Sequence, residues 1–331
     1  MIIRFFNSSF PIQYFLLLLF EAILWIGTVI NPTELIGSES ITPFYNLLIQ
    51  GFNFNRVNLL ILAFLLTYFN ALFLNYIVIE FGLLHRNTLL PAFAFILLMS
   101  YSPETTNFYP VLPAIFFLLL SLINVFKTYS VKEPYYYIFN ASLFIGIASL
   151  FYLPIIIFVI WLWFSLIVYR IYSWREWTIT IIGAFVPYLF LAVYYFWYDE
   201  IITVIIEYYS FFAEINPLIF SNNIFDYIIW IIAIPLVVLS ASRLFSAFSE
   251  RNIQFRKNSI ILIFFLLISL IPLLYSGENY IPNNAFTIIP ASVFLSYYFS
   301  VLKNINRMGM VILILIILIM FNNYFSMILF K

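Results

Sequence analysis

The chain contains no cysteine, one histidine, eight glycines and only 8% charged residues in 331. Without cysteine there are no disulfides and no thiol chemistry. The lone His85 excludes a histidine-rich metal site. It sits in Leu83-Leu-His-Arg-Asn87, with no sequence partner for nucleophilic catalysis. The glycines are isolated, so no glycine-rich phosphate loop is present, and no nucleophile elbow either. A soluble globular chain carries about 25% charge, so this scarcity of charge excludes a soluble fold. Formal net charge is zero, which gives no electrostatic reason to expect a nucleic-acid partner.

Apolar residues fill the sequence instead: 65% are hydrophobic and 22% aromatic. A helix needs about 20 apolar residues to cross a ~30 Å hydrocarbon core. Eleven segments meet or approach that requirement: 14–31, 57–79, 88–101, 110–128, 136–151, 154–170, 177–197, 226–246, 258–275, 283–301 and 309–328. The third and fifth are short. Only Phe151-Tyr-Leu-Pro154 separates the fifth from the sixth. Proline opens a helix readily and breaks one in its interior, so a tight hairpin is expected there. The run after Arg4 shows no small-x-small cleavage site and reads as an uncleaved first span.

With the N-terminus inside, twelve of the fourteen Lys and Arg fall in cytoplasmic segments, leaving Arg56 and Lys331 outside. Lys/Arg bias in short loops sets orientation, so the expected topology is N-in and C-out. The outer connections carry Glu34, Glu39, Glu104, Asp199, Glu200, Glu207, Glu214 and Glu278. Two of these connections are long. Asn31–Arg56 holds two acids and a half-apolar run, Pro43–Gly51. In Asp199–Phe225, Glu200, Glu207 and Glu214 recur every seven residues, as on one stripe of an amphipathic helix lying on the membrane surface. No repeat, low-complexity tail or separate soluble domain is evident, so residues 1–331 read as one transmembrane domain.

Four sets of residues are candidates for chemistry. Glu34 and Glu39 are either a general base and its neighbour at the outer face or hydrated loop carboxylates. Glu104, in Ser102-Pro-Glu-Thr-Thr106, either joins Glu34 in splitting two pKa values or holding a cation, or is an exposed turn residue. Glu21 lies inside the first span, where an ionisable group marks a functional site or is packed by hydrogen bonds to Asn70 or Asn75 on the second. Arg170 and Arg175, with Trp161, Trp163, Trp174 and Trp177, form a basic aromatic edge that anchors the cytoplasmic side or meets a lipid phosphate.

An N-in first span, a long acidic outer loop after it and a second long outer loop after the seventh span together resemble the GT-C class of membrane glycosyltransferases. The likeness covers about residues 1–225, with additional helices over 226–331. It implies that Glu34, in Asn31-Pro-Thr-Glu-Leu35, is the catalytic base, with Glu104 a helper or metal ligand and Arg56 the cation nearest the leaving phosphate. It also implies a polyprenyl-phosphate sugar donor and a divalent cation. The first loop departs from the GT-C pattern in having no Asp. The stretches Phe139-Asn-Ala-Ser-Leu-Phe-Ile-Gly-Ile-Ala-Ser-Leu-Phe-Tyr-Leu-Pro154, Ser173-Trp-Arg-Glu-Trp177 and Gly183-Ala-Phe-Val-Pro187 resemble an uncharacterised family of multi-pass membrane proteins from Bacteroidota. The expected location is therefore a bacterial inner membrane, with membrane lipids and a lipid-linked sugar donor as partners. Two other functions fit the same features: a non-catalytic subunit of an envelope complex with protein partners, and a transporter whose helices break at Pro187, Pro235 and Pro272.

Overall fold

The computed structural model describes residues 2–30, 44–45, 56–84, 86–202, 204–206, 223–274, 284–302 and 305–329. Glu34, Glu39 and His85 lie outside them, as does most of the 199–225 connection. Among the described residues the chain is all α-helical. A single turn, α1 (Ile2–Phe5), precedes α2 (Pro11–Ile30), α3 (Arg56–Glu80), α4 (Leu90–Met99), α5 (Val111–Lys127) and α6 (Tyr135–Phe151). After a 3₁₀ turn come α7 (Phe158–Tyr169), α8 (Trp174–Trp197), α9 (Ile224–Ser246), α10 (Ile253–Ser269), α11 (Ala285–Val301) and α12 (Ile305–Leu329). Helices this apolar form because leaving backbone N–H and C=O unpaired in hydrocarbon costs several kcal/mol per group. Five are long and apolar enough to cross a membrane: Pro11–Ile30, Arg56–Glu80, Trp174–Trp197, Ile224–Ser249 and Ile253–Leu273. The remainder are shorter apolar helices.

Local signals set the breaks. Gly82 takes a positive φ of 66° after α3, and Leu83 N–H reaches back to the Val78 carbonyl, closing the helix with a Schellman-type bond. Arg170 does the same for α7 at φ 65°, with Ile171 N–H donating to Leu166 O. Tyr152 is extended and Pro154 lies in the 3₁₀ turn Leu153–Ile157. Pro187 and Pro235 lie inside α8 and α9, neither of which they divide. The helix breaks expected at these two prolines for a transport site are absent; Pro272 lies in the 3₁₀ turn Ile271–Leu274 that follows α10.

Contacts show that successive helices alternate in direction. Trp25 of α2 meets Phe64 of α3, and Tyr68 O–H donates to Tyr14 O. Leu89, before α4, bonds to Phe6 O, while Ser100 at the other end of α4 accepts from Trp25 Nε1. Phe81 pairs with Phe126, placing α5 parallel to α3. The hairpin at Pro154 is also visible. Ser142, Gly146 and Ser149 of α6 meet Gly183, Ala184 and Tyr188 of α8 in the same order, so α6 and α8 are parallel and the chain turns between α6 and α7. Arg86, Lys127, Lys132, Arg170, Arg175, Arg243, Arg251 and Lys257 consequently sit at one end of the bundle with Glu80, Glu133, Glu176 and Glu250, and Glu104, Asp199, Glu200, Asp226 and Arg56 at the other.

α6 and α8 touch backbone to backbone. A Cβ on Gly146 would collide with the Ala184 carbonyl, and one on Gly183 with Phe139 O and Ser142 Oγ. This is the small-residue packing on which helix association in lipid depends. Gly146→Ala is expected to cost about 1–3 kcal/mol through overpacking, outweighing the ~1 kcal/mol that alanine contributes to helix propensity. Thermal unfolding in detergent measures it; an unchanged Tm would mean that the two helices separate freely.

Exposure is inverted relative to a soluble protein. Phe190 and Trp197 on α8 are 73% and 83% exposed, in a broad apolar outer surface that suits lipid rather than water. Meanwhile all ten residues of α4 are buried. Ten residues make a helix only about 15 Å long, so α4 stops well short of a bilayer's thickness. The chain then continues from α4 as a buried non-helical loop.

Candidate functional site

Residues 100–110 connect α4 to α5, and all but Glu104 are buried. Irregular backbone in such a place must find its hydrogen bonds within the protein. Part of the solution is local. Thr105 N–H and Oγ1 both donate to Ser102 O, Thr106 Oγ1 to Pro103 O at 3.0 Å, and Asn107 Nδ2 to Pro103 O at 3.0 Å.

The rest comes from helices distant in sequence. From α12, Asn322 Nδ2 donates to Tyr101 O at 2.8 Å and to Asp226 Oδ1 at 2.6 Å. Its neighbour Asn323 donates from Nδ2 to Ser100 O and Leu24 O, both at 3.0 Å. From α2, Trp25 Nε1 reaches Ser100 Oγ at 3.2 Å, and Thr28 Oγ1 lies 2.5 Å from Thr106 Oγ1. Asn284, just before α11, donates to the Tyr101 hydroxyl at 2.6 Å. Tyr45, between α2 and α3, stacks on Phe108 and donates to its carbonyl at 3.3 Å.

Two carboxyl groups share this end in unlike surroundings. Asp226, in the first turn of α9, accepts from Ser102 Oγ at 3.2 Å on one oxygen and from Asn322 on the other, as a carboxylate does. Glu104 is the residue of the loop that remains partly open, and its Oε2 is buried without a hydrogen-bond partner among the described residues. Burial, and secondarily the negative charge of Asp226, push the Glu104 carboxyl up to about 7. One group is held by hydrogen bonds and the other is poised to exchange a proton near neutrality, the division of labour seen where acid–base chemistry runs on paired carboxyls.

The other sequence candidates lie elsewhere. Arg56 is exposed in the first turn of α3, and Arg170 and Arg175 are exposed at the opposite, basic end. Trp161 is not part of the aromatic edge there; it is fully buried, with Nε1 on Ile261 O at 3.0 Å. Trp163 stacks on Trp177 and donates to Thr180. Glu21 is fully buried, but the bonds expected to Asn70 or Asn75 are not made. Both its oxygens lack partners among the described residues, and Asn70 Nδ2 donates to Leu112 O instead. Among the described residues the acid whose charge acts on Glu104 is Asp226; Glu34 lies outside them. No group of three His, Cys, Asp or Glu able to hold a metal occurs among the described residues.

Sequence reasoning passes over Asp226, Asn322 and Asn323. Asp226 carries a signal: Asn223-Ile-Phe-Asp226 has the spacing of a helix-start box. Asn223 indeed caps α9, its Oδ1 accepting from Phe225 N–H at 3.1 Å, while its Nδ2 reaches Asn322 Oδ1 at 2.6 Å. Adjacent Asn322 and Asn323 in an apolar helix are a second signal, since buried amides in such a setting bridge helices. In comparisons with known proteins, no family model, no curated protein and no solved structure matches this chain.

Proposed function

We propose that the protein is embedded in a bacterial cytoplasmic membrane with eleven spans, N-in and C-out, and that its acidic outer end transfers a sugar from a polyprenyl-phosphate donor in the manner of GT-C enzymes. Support for the embedding comes from the apolar outer surface and from the gathering of most described Lys and Arg at one end. A bacterium with two membranes, as the resemblance to Bacteroidota proteins implies, gives that outer end a periplasmic setting. The observation that carries the chemistry is Glu104, a carboxyl near pKa 7 on a buried loop clasped by the first and last long helices.

In such a transfer an acceptor hydroxyl attacks the anomeric carbon, the bond from that carbon to the donor phosphate oxygen breaks, and the phosphate departs as an anion. The hydroxyl proton passes to a carboxylate base. In this reading Glu34 takes that proton and Glu104 assists it, half ionised near neutrality. Arg56 is the outer cation, and a divalent ion at Glu34 and Glu104 would balance the departing charge.

The test is sugar transfer by purified protein in proteoliposomes, using a radiolabelled polyprenyl-phosphate sugar and total envelope acceptors. Product formed by wild type and lost in Glu34→Gln supports the reading; equal product from the variant removes Glu34 from the mechanism. One observation favours a non-catalytic subunit of an envelope complex instead. Both oxygens of Asp226 are taken up by structural partners, as in a scaffold. That reading expects no transfer and stoichiometric co-purification of protein partners.

A further inference from the structure

Near the middle of α2, Glu21 is fully buried with both carboxyl oxygens unpartnered among the described residues. Thr67 on α3 is fully buried as well, and its hydroxyl is unpartnered too. Most helical Ser and Thr of this chain donate to a carbonyl one turn back, as Ser142, Ser149, Ser240 and Ser292 do; Thr67 does not. Asn70 follows one turn after Thr67. Its Nδ2 is spent on Leu112 O, while its Oδ1 is buried and unpartnered.

The packing of α2 on α3 brings these oxygens together. The helices are antiparallel, with the Trp25 and Phe64 rings 5.7 Å apart and Tyr68 O–H on Tyr14 O at 2.9 Å. Glu21 lies four residues before Trp25, and Thr67 three after Phe64, so each is the next residue on its contacting face in the same direction. The Glu21 carboxyl also acts electrostatically on Tyr68, the neighbour of Thr67. α4 packs against both helices, with Phe93 5.2 Å from Phe20, and has no polar side chain to contribute.

This junction is rich in acceptor oxygens and has no cation of its own. α2 and α4 contain no Lys, Arg or His, and α3 has only Arg56, roughly 16 Å along the helix from Thr67. An isolated carboxylate is far costlier to bury than a paired one. A proton on Glu21 would lower that cost but would itself need an acceptor within hydrogen-bond reach, and none is made. A hard cation seated between oxygens meets both conditions: it supplies the counter-charge and holds its ligands too far apart to hydrogen-bond to one another. The oxygens are closed to water, so the ion must be small and stripped of its hydration. From this arrangement we infer that Glu21, with Thr67 Oγ1 and Asn70 Oδ1, binds a small monovalent cation such as sodium, which ties α2 to α3 inside the bundle. The inference goes beyond sugar transfer and does not depend on it.

The experiment is thermal unfolding of the full purified chain in neutral detergent, with sodium chloride replaced stepwise by choline chloride at constant ionic strength. Wild-type Tm is expected to rise saturably with sodium, as it does for any ligand that binds only the folded state. Glu21→Gln, which keeps the side-chain shape, loses the sodium dependence whatever its own Tm. Thr67→Val keeps the shape without the hydroxyl and needs about tenfold more sodium for the same rise. Glu104→Gln retains the dependence, which separates this site from the acidic outer end. A wild-type Tm equal in the two salts overturns the site and leaves Glu21 a protonated packing residue. Sodium dependence that survives in Glu21→Gln, or is lost in Glu104→Gln, places the ion elsewhere and overturns it too. If Glu21→Gln does not purify folded, Thr67→Val decides, and an unchanged sodium midpoint overturns the site. Transfer activity plays no part in the measurement, so either proposal can fail while the other stands.

Discussion

Glu104→Gln is expected to lower sugar transfer by about 10²–10⁴-fold, the usual contribution of a positioned acid or base, while leaving the helical content and detergent-solubilised fold intact. Glutamine matches the shape of the protonated carboxyl but exchanges no proton. The same variant has a stability signature that needs no substrate. The folded pKa of Glu104, about 7, lies above its ordinary 4.5. Between these values the native chain holds a proton that the unfolded chain releases, so native stability falls as pH rises from 4.5 to 7 and is level above that. The loss is at most about 3 kcal/mol. Glu104→Gln removes it. The variant is expected to match wild type near pH 4 and to exceed it in Tm at pH 8. A wild-type Tm as flat across that range as the variant's would show that Glu104 titrates like an exposed carboxyl. Asp226→Asn should shift the wild-type transition to lower pH only in part, because burial is the larger cause and the Asp226 charge the smaller.

The largest structural effect is expected from Asn322→Leu. This amide holds Tyr101 O and Asp226 Oδ1 and accepts from Asn223. Leucine fills a similar volume but takes one partner from each of three polar groups, two of them buried and one of those a carboxyl. Breaking a buried charged network costs about 3–5 kcal/mol, against roughly 1–3 kcal/mol for one neutral orphan. Because Asp226 neighbours Glu104, the damage extends to the acid–base site. The variant should unfold at markedly lower temperature than Asn323→Leu, whose amide serves two neutral carbonyls. Equal Tm values for the two would indicate that Asp226 is neutral or has water as a substitute partner.

Much of the architecture is written in plain chemistry. The eleven apolar segments carry helices, and the break at Phe151-Tyr-Leu-Pro154 and the gathering of basic residues at one end are readable from proline and from the placement of fourteen Lys and Arg. Those signals are local, or periodic with the alternation of the chain. The site is less legible. Glu104 is visible as an acid in a loop, but its burial depends on the shortness of α4 and on partners 124 and 221 residues away from the loop residues they hold. Asp226 and Asn322 are brought together across 96 residues by the packing of α9 on α12. No spacing rule connects them. Glu21 is visible in the sequence but its pairing is not: its neighbours on α3 are foreseeable, whereas the preference of Asn70 for the Leu112 carbonyl is not.

The two asparagines of α12 also bear on how the protein is made. Helices enter a membrane in order of synthesis, and α12 is the last in this chain. Until it arrives, the carbonyls of Leu24, Ser100 and Tyr101 and one oxygen of Asp226 have no Asn322 or Asn323 amide to accept. In the proposed membrane setting, the helices before α12 can therefore be inserted while this end is still unfinished. A chain stalled or cut before residue 322 would lack the amides that α12 brings to Ser100, Tyr101 and Asp226, a mark by which proteolytic surveillance can tell an incomplete molecule from a finished one.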